Sequence, residues 1–126
     1  LVAGNVMDFI GEEHPEATWL VGDLASLDLA GQGETELFDG ALVAGNVMDF
    51  IGEEHRAEAV RRVAAHVRSG GFVVIGCRLD RGFTPADLDA AAPAAGLALE
   101  HRFATWDLRP WQGGADFAVS VLRRTG

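Results

Sequence analysis

The sequence predicts an α/β domain in which a mostly parallel sheet, flanked by helices, ends in an antiparallel hairpin. Three observations lead there. Apolar runs at residues 18–21 (TWLV), 38–44 (FDGALVA) and 72–76 (FVVIG) are continuous rather than alternating, the pattern of strands covered on both faces. Between the second and third runs the spacing turns helical, and strand, helix and strand in that order make a right-handed crossover within a parallel sheet. Two further strand-like segments, 97–108 and 116–124, are joined by the turn-rich 109–114 (RPWQGG) and pair antiparallel.

Taken in order, the run at 18–21 stops at Gly22-Asp23, a polar turn, and a weak helical turn is expected around 24–29. Residues 32–36 (QGETE) are polar and turn-like. The strand at 38–44 has Leu42-Val43-Ala44 as its buried middle and leads into Gly45-Asn46. From Gly52 to Arg68, Ala57, Val60, Val63, Ala64 and Val67 form one face and Glu58, Arg61, Arg62 and Arg68 the other. Glu53 and Glu54 at its start and Arg68 at its end match the helix macrodipole. Ser69-Gly70-Gly71 should stop this helix and turn into the strand at 72–76. A second helix opens at Thr84-Pro85-Ala86-Asp87, with Thr84 as N-cap and Pro85 at the first helical position; Pro93 should shorten it and Gly96 end it.

Charge and composition narrow the partners. Nineteen acids face ten bases, all arginine, for a net charge of −9. Such a balance repels phosphate backbones and anionic lipid, so nucleic-acid and membrane partners are not expected and a small molecule or a protein is. The lone Cys77 permits no intrachain disulfide and fits a reducing cytoplasm. His14, His55, His66 and His101 have no metal-ligand spacing, so no metal is expected. No apolar run reaches the roughly 20 residues needed to span a bilayer, and residues 1–14 have no basic n-region and carry three acids in their second half, which predicts a cytoplasmic chain. An Ala-, Gly-, Arg- and Val-rich sequence without Lys or Tyr looks like GC-rich bacterial coding.

The residues 1–14 (LVAGNVMDFIGEEH) recur letter for letter at 42–55. Structural repeats come in three or more diverged units. Two copies without drift point instead to recombination, engineering or a misassigned stretch ahead of a recent duplication, and the 126 residues read as one domain carrying that copy at its start.

The ordered series TWLVGDL (18–24), FDGALVAGNVMDFI (38–51), SGGFVVIG (69–76), EHRFATWDLRPW (100–111) and DFAVSVLRR (116–124) resembles the class I S-adenosylmethionine-dependent methyltransferases, with a Rossmann-like sheet. The resemblance covers about Pro15 to Gly126. It makes 18–21 the family's third strand, 38–44 the fourth, 72–76 the fifth, and the last two the sixth and the antiparallel seventh. It also implies S-adenosylmethionine as cofactor and methyl transfer to a small molecule.

Asp23, following Gly22, would then accept a hydrogen bond from the adenine amino group, and the backbone N–H of Leu24 would meet a ring nitrogen. The alternative is that Asp23 caps the helical turn after it. Ala44-Gly45-Asn46 would lie beside the methionine part of the cofactor, at the carboxyl end of a strand where ligands of open sheets bind; otherwise Gly45-Asn46 is an ordinary turn. Asp49 is either a base facing substrate or a solvated or capping acid. No catalytic residue is singled out. Trp106 and Trp111 either roof a substrate pocket or pack the hairpin.

The family's glycine-rich loop, Asp/Glu-x-Gly-x-Gly-x-Gly, does not occur in these residues, nor does the acid that grips the ribose. The sequence therefore resembles the C-terminal part of such an enzyme with its N-terminal strands missing or replaced. That would expose the strand at 38–44 as a sheet edge, onto which residues 1–9, a copy of 42–50, could add in cis or from a second chain to give a strand-swapped homodimer. The rival to an enzyme is a rearranged Rossmann-like module without catalytic activity. A nicotinamide-dependent oxidoreductase is disfavoured by the lack of G-x-G-x-x-G.

Overall fold

The computed structural model describes residues 24–33, 36–44, 47–80, 82–112 and 115–126. Two 3-10 turns at Leu24–Ser26 and Ala30–Gln32 precede strand β1 (Phe38–Val43). After 3-10 turns at Val47–Phe50 and Glu53–His55 come helix α1 (Arg56–Ala65) and strand β2 (Val67–Arg78). Helix α2 (Pro85–Ala91), a 3-10 turn at Pro93–Ala95, and strands β3 (Leu97–Phe103) and β4 (Phe117–Arg124) complete the order.

The four strands form one sheet in the order β1-β2-β4-β3. β1 and β2 are parallel, and β4 is antiparallel to both of its neighbours, so β1, β2 and β3 run in one direction and β4 alone reverses. The expected α/β architecture with a closing antiparallel pair is present. The predicted strand at 18–21 lies outside the described residues.

Alternation along the strands divides the sheet into two faces. Ala41 and Val43 of β1, Val73, Ile75 and Cys77 of β2, and Ala118, Ser120 and Leu122 of β4 are buried on the side where Ala59, Val60, Val63 and Ala64 of α1 and Leu88 of α2 pack. The helix thus buries Ala59 in place of the predicted Ala57, which is exposed. A stripe at 59, 60, 63 and 64 is what 3.6-residue spacing lays against a flat sheet. On the opposite face Leu42 is 53% exposed and Phe72 41% exposed. Leu42 is therefore not enclosed on both faces by the described residues, contrary to the reading of 42–44 as a doubly buried strand centre.

Helix α1 ends three residues before its predicted end. His66 is its C-cap, and β2 starts at Val67 rather than Phe72. Phe38 pairs with Val67 and Gly40 with Phe72, so β2 bulges between them. Gly70 takes φ +80° in the bulge, and a Cβ on Gly71 would lie 2.6 Å from the Asp39 carbonyl oxygen. Both glycines serve this detour rather than a helix stop. Arg68, expected in the last helical turn, instead pins the bulge to β1 by donating to Asp39 Oδ1 at 2.8 Å.

The second helix begins as its sequence states. Thr84 Oγ1 accepts from the Asp87 N–H at 3.3 Å, and Asp87 Oδ2 accepts from the Thr84 N–H at 3.0 Å, a reciprocal capping box with Pro85 at the first position. Gly96 closes the following turn at φ +72°, and the Leu97 N–H reaches back to the Ala92 carbonyl at 3.0 Å. β3 stops at Phe103, short of the predicted residue 108, because Ala104 to Leu108 turn, with Leu108 at φ 67°.

Candidate functional site

Because β1 and β2 are parallel, their carboxyl ends lie side by side, Val43 opposite Ile75. The segments that follow each strand are fastened together at this end. Asp49, in the 3-10 turn after β1, accepts the Phe83 backbone N–H on Oδ1 at 2.9 Å, and Phe83 follows β2. Gly82 stands against the same carboxylate at φ +72°, where a Cβ would collide with Asp49. Met48 and Phe83 are buried beneath the tie. Asp49 is thus tied through Oδ1 to a backbone amide across 34 residues of sequence.

Of the residues proposed from the sequence, Ala44 is exposed immediately beyond the carboxyl end of β1. Leu24 opens the first 3-10 turn with its side chain buried in the core. Its backbone N–H has no acceptor among the described residues, as the first amide of a helical turn requires an outside partner. Gly22, Asp23, Gly45 and Asn46 lie outside the described residues. No hydrogen bond joins Leu24 to Ala44 among those described.

The segment that carries Leu24 is held against α1. Leu24, Leu27 and Leu29 enter the core. Arg62 Nη1 donates to the Leu27 carbonyl at 3.3 Å, and the Leu29 N–H donates to His66 Nε2 at 3.0 Å. Glu58 holds Arg62 through Oε1 at 2.8 Å and also meets Arg61. Hydrogen bonds from Arg61 and then Arg62 keep the Glu58 carboxyl below its ordinary range. The sequence places these arginines on the face opposite the apolar one and weighs His66 only as a metal ligand, although its spacing of four from Arg62 puts both on the same side of the helix.

A cleft of about 300 Å³, at the small end of ligand-pocket sizes, lies between α1 and α2 and is lined by Glu53, Arg56, Ala57, Phe83, Asp87 and Ala90. Arg56 donates from Nε to the Ile51 carbonyl at 3.0 Å and has no carboxylate partner among the described residues.

Trp106 packs against Phe117 at 6.3 Å between ring centroids, and both rings lie over Gly76, where a Cβ would come within 3 Å of each. That is the hairpin-packing role. Burial pushes the Cys77 thiol up to about 12, so it stays protonated. Among the described residues no group of three or more His, Cys, Asp or Glu side chains converges as a metal site would, and no helix is long and apolar enough to cross a membrane.

No protein-family model matches the chain, and no curated protein sequence matches it. Solved structures do. A TehB-like S-adenosylmethionine-dependent methyltransferase from Corynebacterium glutamicum is 34% identical with a TM-score of 0.84; the match covers 95% of this chain and 63% of that one. The CcbJ methyltransferase of Streptomyces caelestis is 19% identical with a TM-score of 0.76, over 95% of this chain and 71% of that one. Magnesium protoporphyrin IX methyltransferase from Synechocystis PCC 6803, solved with bound S-adenosylmethionine, is 12% identical with a TM-score of 0.65, over 94% and 54%. This chain spans less than two thirds of the Corynebacterium protein. The order β1-β2-β4-β3 with only β4 reversed, together with these likenesses, identifies the chain as having the class I S-adenosylmethionine-dependent methyltransferase fold.

Proposed function

We propose that this chain belongs to a cytoplasmic S-adenosylmethionine-dependent methyltransferase acting on a small molecule, and that it supplies the adenine-side and methionine-side contacts of the cofactor. The observation that carries this reading is the Leu24 amide, which opens a clamped 3-10 turn with no acceptor among the described residues. It fits the donor that a purine ring nitrogen takes, and the Asp23 carboxylate preceding it would accept from the adenine amino group. Gly22 would let the chain turn sharply there. Ala44 is exposed beyond the end of a parallel strand, where open sheets bind ligands, and Gly45 and Asn46 would continue that contact along the methionine part.

When bound, the cofactor supplies an electrophilic methyl group on a sulfonium. The contribution of the chain is positioning: the tie between Asp49 and Phe83 fixes the loop after β1 at the end of the sheet. The cleft beside Phe83 and Arg56 has the size for a small acceptor rather than a polymer, and the net charge of −9 disfavours nucleic acid and anionic lipid.

A second reading has its own support. Residues 1–14 copy 42–55, as a rearranged module without catalytic activity would. Isothermal titration with S-adenosylmethionine separates the two. The first reading predicts saturable binding that weakens at least about tenfold in Asp23→Ala, the order of a charge-assisted hydrogen bond. Heat indistinguishable from dilution at millimolar ligand would leave the inert module.

Leu42 is exposed on β1, the outermost strand of the described sheet, and residues 1–9 carry the sequence of 42–50. This supports a strand-swapped homodimer in which the copy from one chain pairs with β1 of another.

A further inference from the structure

We propose that His66 is a positioning residue whose neutral form latches the 24–32 segment to α1, so that acidification loosens the element carrying the Leu24 amide. The cofactor consequence rests on the function proposed above; the latch itself does not.

The two partners of the ring fix its tautomer. His66 Nε2 lies 3.0 Å from the Leu29 backbone nitrogen, which is a donor only, so Nε2 must accept. Nδ1 lies 2.6 Å from the Arg62 carbonyl oxygen, which is an acceptor only, so Nδ1 must carry the proton. Both bonds exist together in one species, the neutral imidazole protonated at Nδ1. A second proton would occupy Nε2 and set an N–H against the Leu29 N–H. The Arg62 contact survives protonation and the Leu29 contact does not.

The latch has few substitutes. Leu29 is buried, and its amide has no other acceptor among the described residues. The neighbouring turn is held by Arg62 on the Leu27 carbonyl and by Asp28 Oδ1 on the Gly31 N–H. Neither reaches Leu29. The backbone at His66 is fixed on both sides, since its N–H donates to Val63 and its carbonyl accepts from Phe38 at 2.8 Å. When the ring lets go, it is therefore the 24–32 segment that moves.

The charged groups on the elements that meet at His66 are Asp28 on the segment, Arg56, Glu58, Arg61 and Arg62 on α1, Asp39 on β1, Arg68 and Arg78 on β2, and Arg123 and Arg124 on β4. Glu58 is spent on Arg61 and Arg62, Asp39 on Arg68, and Arg124 on the Val67 carbonyl. None of these carboxylates bonds to the ring, so none offers an imidazolium a replacement for the lost Leu29 bond.

The test uses the whole chain labelled with 15N, between about pH 8 and about pH 5. Ring nitrogen shifts should show an Nδ1-protonated neutral His66 at the upper end. The hydrogen-exchange protection factor of the Leu29 amide should fall about three- to tenfold on acidification, the order of one neutral hydrogen bond. His66→Gln, whose side chain both accepts and donates, should keep that protection at either pH; His66→Leu should lack it at both. An Nε2-protonated ring, or Leu29 protection independent of pH in the unsubstituted chain, would overturn the latch without needing any variant to fold. Titration with S-adenosylhomocysteine then separates the two proposals. A fall in affinity on acidification that His66→Gln abolishes supports the link to the cofactor. Equal affinity at both pH values with a loosened Leu29 overturns that link. Binding at neither pH with a responsive Leu29 overturns the proposed function and leaves the latch.

Discussion

Single residues here take roles that their neighbours in space define. Cys77 sits on the helix-facing side of β2, where burial outweighs the attraction of Arg102 and raises its thiol to about 12. In an unfolded chain it would ionise near 9. The folded state therefore binds the proton more tightly, and its contribution to stability is complete below about 9 and is lost as pH rises from about 9 toward about 12. Ellman's reagent should leave the native thiol unmodified near neutral pH and react fully once denaturant is added. Rapid native reaction would contradict the burial. The sequence marked Cys77 as a lone thiol without a disulfide partner. It could not anticipate Asp49, since a contact with Phe83 across 34 residues leaves no local trace. Nor did it single out His66, whose partners come from the helix below it and a segment 37 residues earlier.

Among the elements, those written in local chemistry were legible. Thr84, Pro85 and Asp87 announce α2, and their capping bonds form as the pattern requires. The start of β2 was not legible, because Val67 and Arg68 continue the helical spacing of Val60 and Val63; pairing with β1 overrides that spacing, and the glycines at 70 and 71 serve the resulting bulge. β4 lodges between β2 and β3, and Ser120 on it is fully buried. Its hydroxyl accepts from Arg102 Nε at 2.9 Å, and Arg102, whose side chain is 13% exposed, reaches on to both oxygens of Asp89 on α2. Arg102 thereby joins β3, β4 and α2. Arg102→Met should destabilise by about 2 kcal/mol, since it leaves a buried hydroxyl and a carboxylate without their donor. In a Ser120→Ala background the same change should cost less, and Asp89→Asn alone, at a half-exposed carboxylate, under about 1 kcal/mol. Urea unfolding of the four-member cycle reads this directly. An Arg102→Met cost identical in both backgrounds would show that Ser120 and Arg102 are not coupled.

At the scale of the molecule, the sheet divides into a face closed by α1 and α2 and a face on which Leu42 and Phe72 are exposed, with β1 outermost among the described strands. Strand order was out of reach of sequence periodicity, which reports which residues are buried but not which strand lies beside which. The resemblance to a family numbered the strands without stating their neighbours, and the order β1-β2-β4-β3 comes from the structure. If the copied residues exchange between chains, sedimentation should show a dimer that becomes monomeric when residues 1–14 are deleted. A monomer at all concentrations would remove the exchange. The proposed function places cofactor contacts at Asp23-Leu24 and at Ala44-Gly45-Asn46. Its most direct measurement is the S-adenosylmethionine titration followed amide by amide. Saturable shifts concentrated at Leu24 and Ala44 and their immediate neighbours, with β3 unmoved, are expected. Shifts absent throughout, or confined to the cleft between α1 and α2, would contradict it.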